Sequence, residues 1–378
     1  MNAKRFTLTL GFDFAIAKSQ MNLNRYISLI LVCIIIAFFT SCGSKGNSDY
    51  SGNNVIANSP ATQTDSTYWL KPSKGIRGIF EDSKGNLWFT SIEYVCVFDG
   101  SKFTYFTEED GLFDIGYVHE DNTGTIWVES GFKAYRYDGK QFTTHVLIPD
   151  TSGNKWGASS NDLWFQKGIP RFGNSDSPPG VYRYHNGKIN FLAFPFPSDT
   201  NADNIYHPTT KAINGKDGTI WFGTMGAVIG FKDGAFTLIG QKVTGRLNEP
   251  THIRGIYADS KGNLWMADNG NGVFVYNGDT TINFTKLHHL DKGDREGNTL
   301  HRSFCIAEDE DGNMWFGTVY SGIWRYDGKS FTNFAKEDGI INQSFWTIFK
   351  NKKGELLFCG ENPGAVYKFN GLSFDRVY

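Results

Sequence analysis

The chain has 378 residues, of which 16% are aromatic and 20% are charged. Its 37 Lys and Arg residues almost balance its 39 Asp and Glu residues, so the formal net charge is only −2 at pH 7. Because nucleic-acid-binding surfaces need a clear excess of basic residues, this balance argues against DNA or RNA as a partner.

Residues 1–41 have the pattern of a secretory signal peptide. Arg25 precedes an apolar run of about 13 residues that begins at Ile27, shorter than the roughly 20 residues that a membrane-spanning helix needs. The run ends in FTSC at residues 39–42, which resembles a lipobox. The resemblance implies cleavage before Cys42 and attachment of diacylglycerol to its sulfur, so we expect a lipid anchor in the cell envelope, at the outer membrane. Met21 is a second candidate for the first residue.

The segment at residues 42–67 is rich in Ser, Asn, Gly, Thr and Asp and has few large apolar residues. This composition is typical of a flexible linker. We therefore expect the lipidated Cys42 to be tethered to a domain that occupies residues 68–378.

That domain repeats itself. IRGIFEDSKGNLW at residues 76–88 returns as IRGIYADSKGNLW at residues 253–265, with two changes. Looser copies place an apolar residue before an aromatic anchor, and a second phrase of the type Y-D-G-K-x-F-T follows each anchor. The seven anchors are Trp88, Trp127, Trp164, Trp221, Trp265, Trp315 and, in place of Trp, Leu357.

Each of the seven units has the pattern of four short strands. Aromatic and β-branched residues alternate with polar ones, and Asp-Gly and Asn-Gly pairs mark tight hairpins. A sheet of about 44 residues cannot bury both of its faces alone, but units packed face to face around an axis can. The sequence thus predicts an all-β, seven-bladed β-propeller of four-stranded antiparallel blades, with the anchors packed between neighbouring blades. Both STYWL at residues 66–70 and SFDRVY at residues 373–378 are candidates for the strand that closes the ring.

The repeat resembles that of the two-component regulator propeller family. The fullest match runs from Ile306 to Phe334, and the likeness extends over all seven units. This resemblance implies an extracytoplasmic, sensor-type propeller that binds a ligand. A kinase or DNA-binding segment is not part of this sequence.

The loops that lead into the first strand of each unit carry basic and aromatic side chains at matching positions. In a propeller these loops meet on one face, so we expect their residues to form one rim around the axis. Guanidinium groups suit a carboxylate or sulfate, and an indole suits a sugar ring. The candidate rim consists of Arg77, His207, Lys211, His252, Arg254, His301, Arg302 and Trp346.

Three insertions map to the same face, at residues 168–180, 195–208 and 286–300. Elaborated loops on one side of a repeat protein often mark its binding side. Lipid on Cys42 implies a membrane partner, and the rim indicates an unknown glycan, peptide or envelope protein as the ligand of a monomeric propeller.

The sequence contains no G-x-S-x-G, H-E-x-x-H or P-loop motif, and it predicts no cofactor or metal. DEDGN at residues 309–313 has the form of a hairpin turn rather than of a calcium loop. Cys96, Cys305 and Cys359 are predicted to be buried free thiols. The preferred interpretation is a non-catalytic, ligand-binding lipoprotein. The alternatives are a propeller lyase or hydrolase of the streptogramin-lyase type and a structural subunit of an envelope complex.

Overall fold

The computed structural model describes residues 70, 75–152, 154–168, 178–196, 206–240, 252–292 and 299–378. These residues form seven antiparallel sheets, and the first strands of neighbouring sheets contact one another around a common axis. The predicted seven-bladed β-propeller is confirmed. Cys42, the predicted signal peptide and the predicted linker lie outside the described residues.

In six blades, four strands follow one another in chain order from the axis outwards. The strands of these blades are β1 (Ile76–Glu81), β2 (Leu87–Ser91), β3 (Val95–Phe98) and β4 (Phe103–Phe106) in blade 1; β5 (Ile115–Glu120), β6 (Ile126–Ser130), β7 (Lys133–Tyr137) and β8 (Phe142–Val146) in blade 2; β12 (Ile213–Asn214), β13 (Ile220–Gly223), β14 (Val228–Lys232) and β15 (Ala235–Ile239) in blade 4; β16 (His252–Ala258), β17 (Leu264–Asn269), β18 (Gly272–Tyr276) and β19 (Thr281–Asn283) in blade 5; β20 (Ser303–Glu308), β21 (Met314–Thr318), β22 (Ile323–Tyr326) and β23 (Phe331–Phe334) in blade 6; and β24 (Phe345–Lys350), β25 (Leu356–Gly360), β26 (Ala365–Phe369) and β27 (Phe374–Arg376) in blade 7.

Blade 3 differs from the other six. Its described strands are β9 (Leu163–Gln166), β10 (Gly180–His185) and β11 (Lys188–Ala193), in the order β11-β10-β9. The segment before β9 runs along the outer edge of the sheet instead of along the axis. There the Asn154 side chain donates to the Phe191 carbonyl at 2.9 Å, and the Trp156 indole donates to the Ala193 carbonyl at 2.7 Å. Among the described residues, blade 3 therefore leaves its innermost position open.

The turn between the first and second strands is held by a single carboxylate. In blade 5, Asp259 accepts hydrogen bonds from the backbone N–H of Lys261 and Asn263 and from the Trp265 indole at 2.8 Å. Gly262 has φ of +90°, a conformation that costs glycine little. The same Asp–Trp bond recurs as Asp82–Trp88, Asp121–Trp127 and Asp309–Trp315. The interpretation of residues 309–313 as a turn is thus confirmed.

Each aromatic anchor packs against the next blade. Trp265, only 7% exposed, lies in a cluster with Ile306 and Phe316 of blade 6. Equivalent clusters contain the other anchors, and Leu357 packs against Phe89 of blade 1. The anchors therefore join the blades into a ring, as the sequence predicts.

The C-terminus closes the ring. Strand β27 is the fourth strand of blade 7, so the C-terminal candidate for the closing strand occupies that place. The Tyr378 ring packs against Phe89 and Phe98 of blade 1, and the Thr347 hydroxyl donates to the Arg77 carbonyl at 2.7 Å. Of the competing stretch at residues 66–70 the structure describes only Leu70, which is buried.

Helical structure is minor in the described residues, with one short helix, α1 (Phe284–Leu287), and two 3-10 turns, Glu108–Asp110 and Lys336–Asp338. Within this part of the chain, no helix is long and apolar enough to cross a membrane. Cys96, Cys305 and Cys359 are all buried, as predicted.

Replacing Trp265 by Ala should destabilise the protein by roughly 3–5 kcal/mol, because it removes a large core aromatic at a contact between blades. Chemical denaturation of both proteins measures the difference in free energy of unfolding. A loss below about 1 kcal/mol would contradict the assignment of the anchors to the core.

Candidate functional site

The first strands of five blades carry a β-bulge near their start. The register shifts between Ile76 and Gly78 in blade 1, and at the equivalent place in blades 2, 5, 6 and 7. A bulge adds one residue that is unpaired in the ladder and changes the direction in which its side chain points. The bulge residues are Arg77, Gly116 with Tyr117, Arg254, Phe304 and Trp346.

All of these bulge residues line one cavity of about 680 Å³. It opens on the face formed by the loops that lead into the first strands and by the turns between second and third strands, which we call the upper face. Glu129, Gln166, Pro208 and Thr209 complete much of its wall. We call this space the axial cavity.

Four bulge residues form a continuous stack along the cavity wall. The Arg254 guanidinium lies over the Phe304 ring at 5.3 Å, and the Phe304 and Trp346 rings are 5.5 Å apart. The Arg77 guanidinium then lies over Trp346 at 5.1 Å. Cation–π contacts at such distances are attractive, so the two aromatic rings hold the two cations in place from blade 5 to blade 1.

Several hydrogen-bond donors in the wall have no acceptor. Buried nitrogen atoms without a hydrogen bond include Arg254 Nε, Gln166 Nε2 and Trp346 Nε1. The Trp346 indole lies near the Glu361 carboxylate but does not reach hydrogen-bond geometry with it. Buried polar groups are normally paired, so the Arg254 and Gln166 nitrogens without an acceptor indicate a place where acceptors of another molecule fit.

Two carboxylates line the wall, Asp114 and Glu129, and the buried one, Glu129, is already paired. Glu129 is 2% exposed and accepts hydrogen bonds from the Gln166 backbone at 3.1 Å and the Tyr117 backbone at 3.4 Å. His119 Nε2 lies 3.3 Å from Glu129 Oε2, the oxygen that also accepts from the Gln166 N–H. The cavity thus contains both signs of charge, and the oxygens of its buried carboxylate are already engaged.

Tyr117 adds a further neutral hydroxyl. Burial raises the pKa of its phenol to about 12, Glu129 acts in the same direction, and Arg254 and Arg77 oppose both. The phenol therefore stays protonated at neutral pH.

Lys211 lines a second cavity rather than the axial cavity. Its ammonium group reaches from blade 4 across the open position of blade 3 and donates to the Val118 carbonyl at 2.8 Å. It also lies over the Phe80 ring at 4.9 Å, and this second, smaller cavity has a volume of about 160 Å³. Burial lowers the pKa of Lys211 to about 8, although the Glu129 carboxylate opposes the shift.

The structure brings together part of the candidate rim. Arg77, Arg254 and Trp346 share the axial cavity, and Lys211 borders the smaller cavity. His252 Nδ1 is 2.9 Å from an Arg254 Nη atom, so this histidine positions the guanidinium rather than facing the cavity.

The other three rim residues do not line the cavity. His207 is 2% exposed, and its carbonyl accepts from the Met225 N–H. His301 and Arg302 lie before the bulge of blade 6, where their carbonyls accept from the Gly270 and Val319 N–H groups. The loop that leads into β20 thus places these two residues against blade 5 and the β21–β22 turn.

Sequence reasoning missed Phe304, Tyr117, Gln166 and Glu129. Phe304 could have been found, because it precedes Trp315 by the same spacing that separates Arg77 from Trp88. Gln166 and Glu129 reach the cavity because blade 3 leaves a gap. No periodicity of the sequence indicates that gap.

Of the three insertions, residues 169–177, 197–205 and 293–298 lie outside the described residues. Gly168 and Pro208, at the ends of two of them, border the axial cavity.

The model of the two component regulator propeller family matches residues 71–93 and 299–320. These stretches cover the first two strands of blades 1 and 6, so the resemblance seen in the sequence is confirmed. No curated protein matches the chain.

Solved structures share the fold. A catalytically inactive virginiamycin B lyase from Staphylococcus aureus with quinupristin has a TM-score of 0.57 and 15% identity, covering 80% of this chain and 98% of that chain. YCF48 bound to D1 peptide has a TM-score of 0.53 and 9% identity, covering 79% and 92%. At such identities, the likeness shows the fold alone.

A protein described as the extracellular domain of the hybrid two component system BT4673 from B. thetaiotaomicron has a TM-score of 0.44 and 17% identity. The match covers 82% of this chain and 46% of that chain. A score this low shows no more than a general likeness.

Replacing Lys211 by Met should change how stability depends on pH. The Lys211 pKa is lower in the folded protein than the ordinary 10.5, so the unfolded chain binds more protons between about pH 8 and 10.5. Over this window the wild type should gain stability relative to Lys211→Met, by on the order of 3 kcal/mol at most. Urea unfolding at several pH values measures the difference, and parallel curves would contradict a buried ammonium at this place.

Proposed function

The chain carries two-component regulator propeller repeats, and on this premise we propose that it is a non-catalytic, extracytoplasmic lipoprotein that binds a ligand in the axial cavity. The observation that carries the proposal is the pair of buried donors without an acceptor, Arg254 Nε and Gln166 Nε2, in residues that line one space. A ligand that supplies acceptor oxygens would satisfy them.

The side chains of the wall favour an anionic or sugar-like ligand. Two guanidinium groups can hold a carboxylate or sulfate in a forked hydrogen bond. The stacked rings of Phe304 and Trp346 offer a flat apolar surface for the ring or chain that bears this group. The volume of about 680 Å³ is within the usual range of small-molecule sites.

Binding is favoured over catalysis by where the histidine–carboxylate pair lies. His119 pairs with Glu129, but His119 is 5% exposed and borders the smaller cavity rather than the axial cavity. Burial and then Lys211 lower the pKa of His119, although Glu129 opposes them. A general base must reach the proton that it removes. A ligand in the axial cavity would meet the guanidinium groups and the rings instead.

Replacing Arg254 and Trp346 together by Ala should weaken ligand binding at least tenfold and leave the melting temperature nearly unchanged. Both side chains lie at the cavity wall rather than in the clusters between blades. Calorimetry with a glucuronic-acid disaccharide, its sulfated form and short peptides with a free carboxyl terminus measures the effect.

Lys84→Ala and Lys261→Ala are the matched controls, since both lysines are exposed and lie on the opposite face, in the turns after β1 and β16. Binding that survives the double substitution would contradict the assignment of the site. Binding that is lost in a lysine variant would place it on the opposite face.

We further propose that Cys42 carries lipid, on the support of the signal and lipobox patterns at residues 27–42. Replacing Cys42 by Ala should abolish labelling by a palmitate analogue and release the protein from the membrane fraction, because no sulfur remains at the acceptor position. Labelling that persists in this variant would exclude lipidation at Cys42.

A further inference from the structure

Exposed apolar side chains occur on the loops of the upper face, and two of them line the axial cavity. Ile92, Phe113, Phe132 and Ile341 are 50%, 46%, 43% and 60% exposed, respectively. They belong to loops of the upper face in blades 1, 2 and 7, and Phe113 and Phe132 also line the cavity. We call these four residues the apolar collar. Exposed apolar side chains grouped in this way mark interaction sites.

The collar lies beside the cationic part of the wall. Arg77 is the bulge residue of blade 1, between the collar residues of blades 7 and 2, and its guanidinium is exposed. Arg254 faces the same cavity from blade 5 and keeps a buried, unpaired Nε. A molecule seated here meets guanidinium groups at the centre and apolar side chains at one edge.

The geometry points to the free carboxyl-terminal segment of a partner protein as the ligand. Its terminal carboxylate lies at Arg77 and Arg254, and its last apolar side chains lie on the collar. This inference rests on the proposed function, because it names the ligand class of the same cavity.

The peptide fits the observations better than other acceptor-rich molecules. A saccharide satisfies the donors but has few large apolar groups to cover Ile92 or Ile341. A folded surface without a free terminus covers the collar but brings no carboxylate into the cavity. A chain end does both, because two carboxylate oxygens match a guanidinium fork while the side chains extend outwards. The cavity volume admits a few residues and excludes a folded domain.

The test uses the full chain and four probes: N-acetyl-Ala-Phe-Leu and N-acetyl-Ala-Ser-Ser, each as free acid and as amide. The apolar free acid should bind at least tenfold more tightly than its amide and than the serine peptide. Arg254→Gln should remove the preference for the acid, and Phe132→Ser with Ile341→Ser should remove the preference for apolar side chains. Leu372→Ser is the matched control, since Leu372 is 83% exposed in the β26–β27 turn on the opposite face.

Equal binding of acid and amide would overturn the inference, and so would an apolar preference that survives in the collar variant or disappears in Leu372→Ser. Binding of the uronic-acid disaccharide with none of the four peptides would also overturn it, while leaving the proposed function in place. Absence of binding by every probe, saccharides included, would count against both.

Discussion

Seven sheets that converge on one axis leave little room at their innermost strands, and this crowding shapes the site as well as the fold. A Cβ atom at Gly255 would lie 2.6 Å from the Phe304 carbonyl oxygen. Gly255 and Gly78 each directly follow a bulge residue: Arg254 precedes Gly255, and Arg77 precedes Gly78. The small residue lets the strands approach, and the bulge turns its larger neighbour into the open space above them.

The two faces of the ring are therefore unlike. The lower face carries the turns between the first and second strands. There the Asp carboxylate of a turn accepts hydrogen bonds from that turn and from the anchor tryptophan, as in Asp259 and Trp265. Neighbouring blades are also joined there: Ser260 donates from its N–H and its hydroxyl to Glu308, both at 2.6 Å. The hydrogen-bonded carboxylates on this face stabilise the fold. The upper face carries the unpaired donors and the exposed apolar side chains, so its loops are available for binding.

Sequence spacing predicted the fold and part of the site for the same physical reason. A repeat places equivalent residues at equivalent heights around the axis, so the spacing to the anchor was enough to bring Arg77, Arg254 and Trp346 together. It did not separate these bulge residues from His301 and Arg302, because a difference of two or three positions moves a side chain from the cavity to the outside of a loop.

Blade 3 shows what the repeat pattern could not predict. Its anchor and its second phrase are regular, yet the segment before β9 follows the outer edge of the sheet, held there by Asn154 and Trp156. Side chains from both neighbouring blades occupy the open inner position, Glu129 from blade 2 and Lys211 from blade 4. This arrangement depends on contacts distant in sequence, and a single unit read by itself contains no sign of it.

The same gap explains how a carboxylate can line the cavity that holds two guanidinium groups without neutralising the site. Glu129 occupies the space beside β9 and is held by the Gln166 backbone and by His119, and Lys211 lies near it. Since its oxygens are already engaged, Glu129 contributes negative charge but little acceptor capacity. Arg254 and Gln166 keep buried N–H groups with no acceptor. Leaving a buried donor unpaired costs about 1–3 kcal/mol, so the cavity gains most from a molecule that supplies oxygen atoms at the guanidinium end.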